Sequence, residues 1–177
     1  MKKRVAIIGA GGHGKVIADA VLKSGEYELV GFVDAKIQRG TVVFGTYSIL
    51  ESQANIHLIL PEIDCFIIGI GANEIRKKVV ESLPENLEWA TVIHPSASIA
   101  SETIIGKGSI ILANSVIGIA SVIGEFSIVD AGVVVDHECE IGAFCHLSIG
   151  TCVGSNSKIS TRTKSEIGQL FQPFSIR

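Results

Sequence analysis

The chain is predicted to fold in two parts, a parallel α/β sheet over residues 1–92 and a three-sided parallel β coil over residues 93–177. Three observations predict this. Apolar strand runs alternate with helix patterns over the first ninety or so residues. A glycine-rich turn follows the first run. From Ile93 an aliphatic residue recurs at every sixth position through twelve consecutive hexads.

The first run, residues 3–8, is short, apolar and ends in glycine, as buried parallel strands do. Residues 15–23 place Ile17, Val21 and Leu22 at helical spacing, so an amphipathic helix follows. Residues 28–34 read as a second strand and 64–70 (DCFIIGI) as a third. Residues 73–83 then read as a helix that Pro84 stops. Strands alternating with helices argue for a parallel sheet covered by helices. Gly9-Ala10-Gly11-Gly12-His13-Gly14 fits G-x-G-x-x-G between strand and helix, and Asp34 lies twenty residues beyond Gly14. Glycines let a ligand approach the backbone, and a helix N-terminus favours phosphate. This half is therefore Rossmann-like. It is too short for a complete dinucleotide fold, which argues against NAD.

The second half is written in sixes: IHPSAS, IASETI, IGKGSI, ILANSV, IGIASV, IGEFSI, VDAGVV, VDHECE, IGAFCH, LSIGTC, VGSNSK, ISTRTK. Each hexad begins with Ile, Val or Leu, and its fifth residue is small or compact. A period of six fits neither a helix nor a simple alternating strand. It fits a triangular prism with one short strand per face and three hexads per coil, about four coils in all. The first and fifth positions point inward, and glycine, common at the second, is expected to relieve the bend at a corner. Each buried aliphatic contributes roughly 1.5–3 kcal/mol of transfer free energy. After ISTRTK the phase is lost in SEIGQLFQPFSIR, and Leu170, Phe171 and Phe174 are expected to fold over the last coil as a cap.

Two histidines, His137 and His146, stand in VVVDHECEIGAFCHLSIG, a segment that otherwise reads as packing. His137 and Glu138 take the third and fourth positions of their hexad, neither of them inward. A lone histidine on a β coil is more often a surface or corner residue, but Asp136-His137-Glu138 is a polar insertion in an apolar run. A neutral imidazole takes a proton near pH 7, and a neighbouring carboxylate holds its tautomer. His137, Cys139, Cys145, His146 and Cys152 are enough to compose a zinc site. Against it, no pair has Cys-x-x-Cys spacing, and Cys139 and Cys145 fall on the inward fifth position, so no metal is expected. His94, His57 and Cys65 receive no role.

The hexad pattern is that of left-handed parallel β-helices, and the hand comes from that resemblance. VDHECEIGAFCHLSIG, the glycine loop and GANEIRKKV together resemble the bacterial hexapeptide-repeat sugar acetyltransferases of the sialic acid O-acetyltransferase and UDP-4-amino-sugar (bacillosamine-type) N-acetyltransferase family. The match runs from Val5 to about Lys158. It implies acetyl-coenzyme A as co-substrate, His137 as general base supported by Glu138, and His146 and Gly154 on the coenzyme. It assigns Gly11, Gly12, His13, Asp34, Gly71 and Asn73 to a nucleotide-linked amino sugar, and implies a homotrimer with active sites between subunits. Two features depart from the family: Asp130-Ala131 stands where asparagine-threonine is common, and the coil is short at its C-terminal end.

The charge of −3 gives no general reason to bind nucleic acid or an anionic membrane. No apolar run approaches the ~20 residues of a membrane span, the start is a poor secretory signal, and the four cysteines read as free thiols, so the cytoplasm is the expected location. N-acetylation of the sugar in surface-glycan synthesis is the leading expectation. The alternatives are O-acetylation of sialic acid or a related sugar, and a non-catalytic sugar-nucleotide-binding protein.

Overall fold

The computed structural model describes residues 1–177. The first half contains β1 (Lys3–Ile8), α1 (Gly12–Ser24), β2 (Tyr27–Val33), β3 (Val42–Phe44), β4 (Tyr47–Glu51), β5 (Cys65–Ile68) and α2 (Asn73–Ser82). Its sheet runs β3-β4-β2-β1-β5, parallel except for β3. Alternation along β1 fills two cores. Val5 and Ile7 pack with Ile17, Ala20 and Val21 of α1, while Ala6 and Ile8 pack with Ile56, Ile59 and Ile63 on the other side. Those last three come from 3-10 turns at Gln53–Leu58 and Leu60–Glu62 and the residues flanking them, which periodicity leaves unassigned along with the β3–β4 hairpin. Helix α1 starts at Gly12, three residues before its apolar pattern, and ends on Gly25, whose φ of 68° supplies the left-handed C-cap.

From Val92 each strand is two residues long, and strands eighteen residues apart stack in parallel. Three faces result. The first stacks Val92–Ile93, Ile110–Ile111, Ile128–Val129 and His146–Leu147. The second stacks Ser98–Ile99, Val116–Ile117, Val134–Val135, Cys152–Val153 and Leu170–Phe171. The third stacks Ile104–Ile105, Val122–Ile123, Glu140–Ile141 and Lys158–Ile159. The inward ladder includes Ile111, Ile117, Ile123, Val129, Val135, Ile141 and Leu147, with Cys139 and Cys145 buried at fifth positions. The first face turns Val92, Ile110 and Ile128 outward into the core around α1, which joins the two halves.

Three expectations need correction. The residue that adopts the left-handed corner conformation is the fourth of each hexad: nine non-glycine residues from Glu102 to Phe174 and four glycines have positive φ there. Glycine at the second position answers a different need, the close approach of the next coil. A Cβ on Gly154 would sit 2.6 Å from the backbone nitrogen of Pro173. Nor is the phase lost after Lys164. Ser165 occupies the inward first position, its hydroxyl 2.7 Å from that of Thr151 and accepting the Ser148 N–H at 2.7 Å. Phe171 follows six residues on, 5% exposed, in the ladder above Val153. Leu170 and Phe174 point outward, so no cap folds over the end. Hydrogen bonding among hydroxyls replaces one aliphatic step, which a search for aliphatic periodicity cannot register.

Candidate active site

The C-terminal ends of β1, β2 and β5 converge on a cleft of about 500 Å³, lined by Gly11, Gly12, His13, Asp34, Lys36 and Gly71 among others. This is where parallel sheets place ligands. Helix α1 presses so closely on the β1 turn that a Cβ on Gly14 would overlap the Gly9 carbonyl, and Gly9 itself has a φ of 103°. Asp34 ties the loop down. Its Oδ2 accepts the Ala10 N–H at 2.9 Å, and its Oδ1 accepts those of Lys36 at 2.9 Å and Ile37 at 3.1 Å. Burial opposes its charge, but these three donors and the Lys36 ammonium outweigh burial and hold the carboxyl below its usual range.

His13 lies deeper, its Nε2 buried with no hydrogen-bond partner in the chain. Burial first, then the neighbouring His146, lowers its pKa to about 4. The two rings stand 5.7 Å apart, centroid to centroid. His146 is the outward residue of its strand on the first face, so it meets the sheet half rather than solvent. Its Nδ1–H donates to the Gly71 carbonyl at 2.9 Å, and its Nε2 lies 3.5 Å from Oδ2 of Asp130. Burial works against the Asp130 charge. The His146 contact, the Ala131 N–H and the nearby rings prevail and hold its pKa low.

Asn73 does not line this cleft. Its amide donates to the carbonyls of Arg162 at 2.8 Å and Thr163 at 3.2 Å, and its Oδ1 accepts from Arg76 at 2.9 Å. It fastens α2 to the coil. Arg76, which sequence reasoning passed over, is 1% exposed. Burial lowers its pKa to about 10, which leaves it charged at neutral pH. The available signal was Asn73 and Arg76 at i,i+3 on a helix whose first turn follows the Gly71 loop.

His137 turns the corner between the second and third faces. Its Nδ1–H donates to Oε2 of Glu138 at 2.9 Å, both side chains being exposed. That bond sets the tautomer and leaves Nε2 free to accept a proton. Gly154 sits one coil on at the same corner, where Asn156 N–H donates to the His137 carbonyl at 3.1 Å. His146 lies on the opposite face, so within one chain the two rings do not meet. Cys139 and Cys145 are buried thiols raised by desolvation, and no group of three His, Cys, Asp or Glu is placed to hold a metal ion. No helix is long and apolar enough to cross a membrane.

A Rossmann-like ligand cleft joined to a hexad coil bearing a His–Glu pair defines the class, a two-part protein that combines a ligand cleft with a candidate proton acceptor. Residues 4–83 match the family model of the PglD N-terminal domain. The chain is 32% identical over 114 residues to UDP-N-acetylbacillosamine N-acetyltransferase of Bacillus subtilis (strain 168), 63% of this chain and 52% of that protein. It thus spans about half the length of the curated relative it matches. It is 31% identical to the acetyltransferase domain of PglB from Neisseria gonorrhoeae FA1090, a complex with acetyl coenzyme A, over 98% of this chain and 86% of that one, with a TM-score of 0.73. A mutant of perosamine N-acetyltransferase from Caulobacter crescentus, in complex with CoA and GDP-perosamine, is 25% identical over 97% of this chain and 84% of that one, with a TM-score of 0.76. The chain belongs to the bacterial hexapeptide-repeat sugar acetyltransferases of the bacillosamine type.

Proposed function

We propose that the protein transfers an acetyl group from acetyl-coenzyme A to the amine of a nucleotide-linked amino sugar, in the cytoplasm, during surface-glycan synthesis. The observation that carries this reading is the His137–Glu138 pair, whose geometry leaves Nε2 as a proton acceptor on an open corner. The sugar amine attacks the thioester carbonyl, its proton passes to Nε2 of His137, and coenzyme A leaves as the thiolate. General-base help of this kind contributes about 10²–10⁴-fold. The cleft beside the glycine loop would hold the nucleotide, with Asp34 Oδ2 still able to accept from a hydroxyl or imide. His146 and Gly154 would lie along the coenzyme.

The site is read as forming between copies of a homotrimer. His137 and His146 lie on opposite sides of one prism, so they can serve a single reaction only if one comes from a neighbour. The second face also offers an apolar stripe for that neighbour: Val116, Val134 and Leu170 are exposed on it, with Ile119 at one flanking corner and Ile149 and Ile167 at the other. His137 stands at its edge.

The test is His137→Ala, which should lower turnover at least about 10²-fold while circular dichroism and oligomeric state stay unchanged. Turnover near the wild-type level in that variant would overturn the assignment.

A further inference from the structure

Arg76 is a buried cation with no carboxylate partner. Its charge is instead met by carbonyl and amide oxygens on several segments. Nε donates to the Phe126 carbonyl at 2.8 Å, and Nη2 to the carbonyls of Phe144 at 2.8 Å and Cys145 at 3.0 Å and to Oδ1 of Asn73 at 2.9 Å. The three carbonyl bonds join α2 to the coil, and the bond to Asn73 stays within α2. Nη1 does something else: it turns back into its own half, to the carbonyls of Ile70 at 3.0 Å and Gly71 at 3.2 Å. Joining the halves does not require those two bonds, because Asn73 bonds to Arg162 and Thr163, and Arg162 pairs with Glu74 at 3.3 Å. What Nη1 immobilises is the turn between β5 and α2. The Gly71 carbonyl that it holds is the same one that accepts Nδ1–H of His146.

A histidine's tautomer is set by the bond its other nitrogen makes. We propose that Arg76 is a positioning residue: by immobilising the Gly71 carbonyl at 2.9 Å from Nδ1 it holds the proton of the neutral His146 ring on Nδ1, against Asp130, whose Oδ2 at 3.5 Å from Nε2 favours the other tautomer. Only a guanidinium can do this, because its planar fork reaches the coil carbonyls and the Gly71 turn at once. A lysine ammonium carries its three donors on a single nitrogen and cannot span the coil carbonyls and the turn together. The effect on turnover rests on the acetyl-transfer reading; the effect on the ring does not.

Long-range 1H–15N spectra of the histidine rings, recorded on the full chain at mildly alkaline pH, report the tautomer directly. Wild-type His146 is expected as Nδ1–H, and an Nε2–H ring overturns the proposal whatever the variants do. In Arg76→Lys the two tautomers should mix, and turnover should fall at least about tenfold with the nucleotide-sugar KM little changed. Asn73→Ala removes the bonds from α2 to the Arg162 and Thr163 carbonyls and one acceptor of Arg76 Nη2, but none of the bonds that Nη1 makes to the Ile70 and Gly71 carbonyls. It should lower the melting temperature yet leave the ring as Nδ1–H. An unaltered tautomer in folded Arg76→Lys, or equal mixing in both variants, would mean that Arg76 merely fastens α2 to the coil. If the tautomer responds as expected but no acetyl transfer is found in wild type, the positioning role stands and the transfer reading falls.

Discussion

Glu138 accepts the Nδ1–H of His137 at 2.9 Å from a backbone held at a φ of 57°. The corner geometry that closes every coil thus also swings the carboxylate back onto the ring beside it. A left-handed conformation costs an L-residue roughly 1–2 kcal/mol relative to the right-handed one, and glycine avoids that cost. Fold and chemistry therefore ask for different residues at position 138.

Two substitutions separate these demands. Glu138→Gly should keep stability or raise it by up to about 1 kcal/mol in urea denaturation, while turnover falls at least about tenfold because the ring loses its tautomer. Glu138→Gln should lose activity without the gain in stability. A glycine variant as active as wild type would remove Glu138 from the mechanism.

His13 should make folding pH-dependent. Its pKa is near 4 in the folded chain and about 6.5 when exposed, so between those values the unfolded chain binds a proton that the folded one refuses. The contribution is complete above about pH 6.5 and is lost as pH falls toward 4, by up to about 3 kcal/mol. Denaturant melts across that window should show the slope in wild type and its reduction in His13→Gln. An unchanged slope in the variant would assign the effect elsewhere.

The last coil can be checked with two phenylalanines three residues apart. Phe171→Ala should cost about 3–5 kcal/mol because it empties a buried ladder position. Phe174→Ala, at 72% exposed, should stay within about 0.5 kcal/mol. Similar losses in both would restore the idea of an aromatic cap.

Gly14→Ala should destabilise by more than about 2 kcal/mol, because its Cβ has no room beside the Gly9 carbonyl and neither backbone can move without the sheet. Gly12→Ala, where a Cβ meets nothing within 4 Å, should fold normally and report on ligand binding alone. Equal stability of the two variants would argue against the packing described for α1.

Much of this architecture was legible because it is periodic. Ile111, Ile117 and Ile123 announce their inward positions by spacing alone, and the run at 64–70 ends where β5 meets the cleft. What escaped was aperiodic or polar. The hairpin around Val42 and Tyr47 is too short to develop a pattern, and Ser165 fills an aliphatic position by bonding to Ser148 and Thr151. At the site, His137 and Glu138 were readable because they are adjacent. Asn73 was assigned to the cleft but reaches across to Arg162, and Arg76 went unnoticed. Their partners are main-chain carbonyls some fifty to ninety residues away, which no local spacing encodes.

The eighteen-residue stacking limits how this chain can change length. Inserting a single hexad between His137 and His146 would preserve which side chains face in and which face out, yet carry His146 a third of a turn around the axis and out of reach of Gly71. Only whole turns of the coil restore every residue to its own side. Insertions and deletions in this half should therefore be tolerated in multiples of eighteen, and a hexad miscounted in an engineered variant would relocate chemistry without unfolding anything.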